Sequence, residues 1–163
     1  MRRFVLPAAL AVAVVAAVGI YAFVAAGAQR PMNGQIELWG GPTGEACDAN
    51  SIQISLAGTG TLAHLGRVTV DATNCTAGEL ESGAADISGG TATFTAADGS
   101  TIAVTYSGQQ DAPDGFVAAY TTTHTVTGGT GRFADASGTW TIAGTVDLSV
   151  GQLLGDVSGW LSY

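Results

Sequence analysis

Residues 116–127 read FVAAYTTTHTVT, and every second residue belongs to one of two sets. Phe116, Ala118, Tyr120, Thr122, His124 and Val126 fall on one face; Val117, Ala119, Thr121, Thr123 and Thr125 fall on the other. A helix repeats every 3.6 residues and would mix these sets, whereas an extended strand separates them. Threonine suits the outer face, because its β-branch fits a pleated surface while its hydroxyl stays hydrated. The stretch therefore predicts a strand with an apolar, aromatic-bearing inner face.

The same alternation recurs outward from this stretch. Ala92, Phe94 and Ala96 alternate with threonines; Ile102, Val104 and Tyr106 alternate with Thr101, Ala103 and Thr105, and Trp140, Ile142, Val146 and Leu148 with Thr139, Thr141, Thr145 and Asp147. Glycine-rich breaks separate the runs: Gly58-Thr59-Gly60, Gly89-Gly90, Asp98-Gly99, Asp114-Gly115, Gly128-Gly129-Thr130-Gly131 and Gly151. Asp98-Gly99 between two alternating runs is a hairpin signal. About eight strands result, near 35–39, 51–57, 62–73, 91–97, 101–108, 116–127, 138–148 and 155–162. The expected fold class is all-β, an eight-stranded antiparallel barrel, with a sandwich as the other arrangement of such strands. A barrel removes the exposed edges that invite aggregation. Gly144 and Gly159, inside strands, suit the bends of a small barrel.

The N-terminus is written differently. Arg2 and Arg3 precede an uncharged run from Phe4 to Ala28, which ends on Ala26-Gly27-Ala28. This reads as a signal peptide over 1–28, with an uncleaved membrane anchor as the other reading, since the run is long enough to span a bilayer. Residues 29–163 form the domain. Either way the expected location is extracytoplasmic, secreted or in the cell envelope, and the membrane is met only through residues 1–28 if they are retained.

Composition narrows the function classes. The 163 residues include five arginines, no lysine and thirteen carboxylates. Without the two arginines of the leader the net charge is −10, which excludes a nucleic-acid binder that neutralises phosphates. Two cysteines and two distant histidines offer no metal motif, and no cofactor motif is present. Gly128–Gly131 lacks the lysine of a phosphate-binding loop and reads as a tight turn, leaving Arg132 to pair with a nearby carboxylate. No G-x-S-x-G elbow and no spaced carboxylate dyad is found. Glu37, Glu45 and Asp48 read as solvated loop charges. Asn74-Cys75-Thr76 is formally a glycosylation sequon. Cys47 and Cys75 are equidistant from position 61, beside Gly58–Gly60, so a hairpin there would set them opposite each other as a disulfide after export.

Three segments resemble a known group: Ala63-His64-Leu65-Gly66-Arg67-Val68-Thr69, Phe94 to Ile102 around Asp98-Gly99, and Thr127-Gly128-Gly129-Thr130-Gly131-Arg132-Phe133 followed by Ala136-Ser137-Gly138. Together they are similar to dirigent proteins and to bacterial secreted proteins with an allene oxide cyclase-like barrel, over about residues 51–163. The resemblance implies a calycin-like barrel with a central cavity, and barrels of this kind can oligomerise. It carries over no catalytic residue.

The functional expectation is an exported barrel that binds a small apolar or aromatic ligand without catalysis. Its candidate ligand-binding residues are Tyr106, Tyr120, His124 and Trp140; Trp39 and Tyr163 are further aromatics available to a cavity. An isomerase or cyclase acting on a lipid-like or phenolic substrate is the alternative, with His124 as its base. A structural module of the cell envelope is the third reading, and it requires a barrel packed solid. His64 is expected in a hydrogen bond at a strand end.

Overall fold

A computed structural model describes residues 27–163. All but the last two residues of the expected leader, whether signal peptide or anchor helix, lie outside these residues.

Eight strands follow in chain order: β1 (Arg30–Asp48), β2 (Ser51–Leu62), β3 (Gly66–Gly78), β4 (Ala85–Ala96), β5 (Thr101–Gln110), β6 (Val117–Gly129), β7 (Ser137–Asp147) and β8 (Gln152–Ser162). Each pairs antiparallel with the next, and β1 pairs with β8 from Arg30↔Leu161 to Trp39↔Gln152, closing the barrel. Closure leaves no free sheet edge. The alternation predicted from 116–127 is the barrel's inside and outside: Ala118, Tyr120, Thr122 and His124 are buried, while Val117, Ala119, Thr121, Thr123 and Thr125 are exposed. Phe116 departs from this, lying before β6 and 68% exposed.

The two ends of the barrel differ. One pole carries the β2–β3, β4–β5 and β6–β7 connections and both ends of the described chain. There Met32, Leu62, Leu65, Ile102, Phe133 and Leu161 are nearly or fully buried. Phe133 reaches this plug because Gly131, at φ +60°, turns the chain out of β6 into a short 3-10 turn, Gly131–Phe133. Arg132 stays outside, 3.3 Å from Asp98, so the expected carboxylate partner is present. Burying each large apolar side chain of the plug contributes roughly 1.5–3 kcal/mol.

Several boundaries differ from the sequence reading. Gly58-Thr59-Gly60 is no turn: it lies within β2, and the β2–β3 turn is at 63–65, between Leu62 and Gly66. His64 sits at that turn's apex, exposed and at φ +68°, rather than in a strand. Gly89-Gly90 is likewise inside β4, where the register shifts between Ile87 and Gly90. β1 runs for 19 residues, through a Gly- and Pro-rich stretch that reads as loop.

Cys47 and Cys75 do form a disulfide, with Cα atoms 5.9 Å apart, but not across a hairpin. Cys75 pairs with Gln53 of β2, and Cys47 lies at the far end of β1, between residues that face Ile52 and Ser51. The bond staples β1 to β3 over the start of β2. The turn centre expected near position 61 is therefore wrong, while the cysteine pairing it selected is correct. Asn74 of the sequon is buried on the inner face, 5% exposed, and is not placed to carry a glycan.

Candidate ligand-binding site

The pole opposite the plug holds a cavity of about 150 Å³. It extends from Phe94 and His124, midway along the barrel, to Leu80 in the β3–β4 connection and to Leu148 and Gly151 at the β7–β8 turn. Its walls are mostly apolar, including Leu38, Leu56, Val70 and Ile142, and no charged side chain lines it.

The space exists because inward aromatics are paired with glycines. Gly90 of β4 faces Tyr106 of β5, and a Cβ on it would lie 2.6 Å from the Tyr106 ring. The ring therefore lies flat across its neighbour's backbone. Tyr120 uses the glycines of the next two strands. Gly144 pairs with it and with Gly155, and a Cβ at Gly155 would collide with the Tyr120 hydroxyl. Glycine here supplies room for a neighbour, at the cost of backbone entropy.

The floor is an aromatic stack. The His124 ring lies between Tyr106, at 4.7 Å and 17°, and Trp140, at 6.0 Å and 6°. Phe94 meets both His124 and Trp140 edge-on. Three of the four expected residues, Tyr106, Tyr120 and His124, line the cavity. Trp140 stands behind His124, 1% exposed, and supports the floor instead of lining it. Trp39 faces outward, 48% exposed, and Tyr163 packs on Phe133 in the plug.

Sequence reasoning missed the cavity's amides, Asn74 and Gln110, and did not name the Thr76 and Thr122 hydroxyls among its candidates. Tyr106 Oη donates to Asn74 Oδ1 at 3.0 Å, and Asn74 Nδ2 donates to Thr76 Oγ1 at 2.7 Å. Gln110 Nε2 donates to the Leu80 carbonyl at 3.1 Å, tying β5 to the connection above the cavity. The signal was available: Val68, Val70, Ala72, Asn74 and Thr76 are all buried at period two, so alternation along β3 continues beyond residue 73.

Two buried polar atoms of the wall have no protein partner, Tyr120 Oη and His124 Nδ1. His124 Nε2 and Thr122 Oγ1 are 2.9 Å apart, and Thr122 Oγ1 also donates to the Ile142 carbonyl at 3.4 Å. Both bonds are made only if Nε2 carries the proton and Thr122 accepts from it; Nδ1 is then a bare lone pair. Burial lowers the His124 pKa to about 4, so the imidazole is neutral at pH 7. Burial, with a smaller contribution from Asp156, raises Tyr120 to about 12, and it keeps its proton. Tyr106 is pushed up as well, by burial and then by Tyr120.

Charge is segregated between the poles. Around the cavity mouth, Glu45 and Asp48 end β1, Glu79 and Glu81 lie in the β3–β4 connection, and Asp86 opens β4. Asp111 and Asp114 lie between β5 and β6, and Asp147 ends β7. These are eight of the thirteen carboxylates, and no arginine is among them. Arg30, Arg67 and Arg132 all belong to the plugged pole. Glu37, Glu45 and Asp48 do not cluster: Glu37 lies on the outer wall and accepts a 2.6 Å bond from Gln152. Among the described residues no group of three histidines, cysteines or carboxylates is gathered to hold a metal.

No family model, no curated protein and no solved structure matches the chain. The fold stands as a closed eight-stranded antiparallel barrel with a cavity at one pole.

Proposed function

We propose that the protein binds a small, largely apolar molecule in the barrel cavity without transforming it. The observation that carries this reading is a void of about 150 Å³, apolar-walled, beside a plug that is packed solid. The same chain fills one half of its interior and leaves the other open, which a purely structural barrel has no need to do. Apolar voids of about this size accept a benzene-sized guest.

Two features support binding over acid–base chemistry. A histidine held near 4 is a weak base at neutral pH, where proton abstraction works best with a pKa close to the working pH. No charged side chain lines the cavity to stabilise developing charge. The calycin-like and dirigent-like resemblance supports a cavity-bearing barrel and stays a proposal at the level of family. An extracytoplasmic location is supported by the leader's sequence pattern and by the disulfide.

The test is a thermal-shift and calorimetric titration of the purified protein with benzene, toluene and cyclohexane. A ligand that binds only the folded state raises the melting temperature with concentration. The expected result is a saturable rise that Ala92→Phe, which fills the cavity wall, removes. If no apolar probe moves the melting temperature, the binding reading is wrong.

A further inference from the structure

We infer that the ligand is a cationic amphiphile, an amine whose uncharged one-ring or short-chain body enters the cavity while its positive group stays at the acidic mouth; this rests on the proposed binding function. Two independent observations lead to it. The first is the segregation of charge: eight carboxylates surround the mouth and all three arginines of the described chain sit at the other pole. These carboxylates are distributed over four connections rather than gathered, so they create a broad negative field instead of a chelating site. Two of them are held below the usual carboxylate range by hydrogen bonds within their own turns. The Asn50 backbone N–H is the main cause for Asp48, and the Ser149 side chain is the main cause for Asp147.

The second observation is inside. Tyr120 and His124, 6% and 5% exposed, belong to the cavity wall, and the hydroxyl of the one and the Nδ1 of the other have no protein partner. Buried polar atoms are rarely left so, and in the wall of a cavity a water or a neutral polar group of a guest can serve them. All the polar groups the wall offers are neutral, so the buried part of the guest is uncharged. A charge on the guest is tolerated only where water reaches it, at the mouth, and the field there favours a cation and opposes a carboxylate. Neither the mouth nor the wall holds an arginine, and the wall's histidine is neutral, so an anionic group finds no cation there.

The experiment compares three probes sharing one ring: benzylamine, benzyl alcohol and benzoate. Each is titrated calorimetrically into the purified protein at pH 7, at low and at high salt. Several unit charges, each within about 10 Å in water, favour the cation by roughly tenfold at low salt, and the advantage fades as the Debye length falls to about 3 Å at 1 M. Benzylamine is expected to bind about tenfold tighter than benzyl alcohol at low salt and to approach it at high salt, with benzoate weakest throughout. Neutralising three rim positions that make no side-chain contact in the wall, Glu81→Gln with Asp111→Asn and Asp114→Asn, should reduce the amine's advantage and leave benzyl alcohol unchanged. Benzoate or benzyl alcohol binding as tightly as benzylamine, or an amine preference indifferent to salt and to the triple variant, overturns the inference while leaving cavity binding intact. Failure of all three probes overturns both.

Discussion

Lowering the pH should destabilise the protein through His124. Its folded pKa is about 4 against an ordinary 6.5, because the ring is buried between Tyr106 and Trp140 with no carboxylate lining the cavity beside it. Between these values the unfolded chain binds a proton that the folded chain refuses, so stability falls as pH falls. The full difference is about 3 kcal/mol at 1.36 kcal/mol per unit, and about 2 kcal/mol of it is lost between pH 7 and pH 5. Carboxylates held low, such as Asp98 and Asp147, contribute stability that is lost only further down, as pH falls through their ordinary range towards their lowered values. The two effects therefore separate along the pH axis. Urea unfolding at pH 7, 6 and 5 measures the slope, and His124→Phe, which keeps an aromatic ring in the stack, should flatten it. The slope is the readout, so a variant that is less stable overall still reports. A wild-type stability that is level from pH 7 to pH 5, or a slope that survives in His124→Phe, rules out this origin of the pH dependence.

Gly155→Ala places a Cβ against the Tyr120 hydroxyl and Ile142, and should cost about 1–3 kcal/mol. In a Tyr120→Phe background that cost should shrink, a coupling that a double-mutant cycle by urea unfolding measures. Replacing Cys47 and Cys75 together by serine frees the loop they close and should lower stability by about 3–4 kcal/mol, read as a drop in the denaturation midpoint. Asp98→Asn should leave the denaturation midpoint nearly unchanged, because both partners of its ion pair with Arg132 are about half exposed and screened by water.

The barrel was legible because period-two alternation is a strong local signal, and β6 alone shows which side is inside. What escaped the sequence was geometry set between strands. Glycine marks a turn when the chain reverses and a bulge or a close approach by a neighbouring strand when it does not; Gly58–Gly60 and Gly89–Gly90 are of the second kind. Nothing in their local sequence separates these cases, since the deciding partners, Tyr106 for Gly90 and Ile36 for Gly60, lie on other strands. The distal half of β1 was hidden for the same reason: Gly41 and Pro42 pair with Ser55 and Ile54, and the pairing creates the strand. The candidate aromatics were found by inner-face alternation, which identifies direction but not depth. Depth is what separates Tyr120, on the cavity, from Trp140, behind its floor.

An even number of antiparallel strands brings both chain ends to one pole, and here it is the plugged one. Arg30 faces Leu161, and the Ser162 hydroxyl bonds the Gly27 carbonyl. Residue 27, where the described chain begins, therefore lies at the opposite pole from the cavity mouth. If residues 1–28 remain as an anchor, the three arginines lie on the bilayer side and the acidic rim faces away. Charge reinforces this orientation, since an anionic lipid surface attracts the basic pole and repels the rim. If the leader is removed, the same asymmetry still keeps the mouth clear of anionic surfaces. On the proposed function a guest would then enter from solution in both forms, and the acidic rim would favour a cationic one.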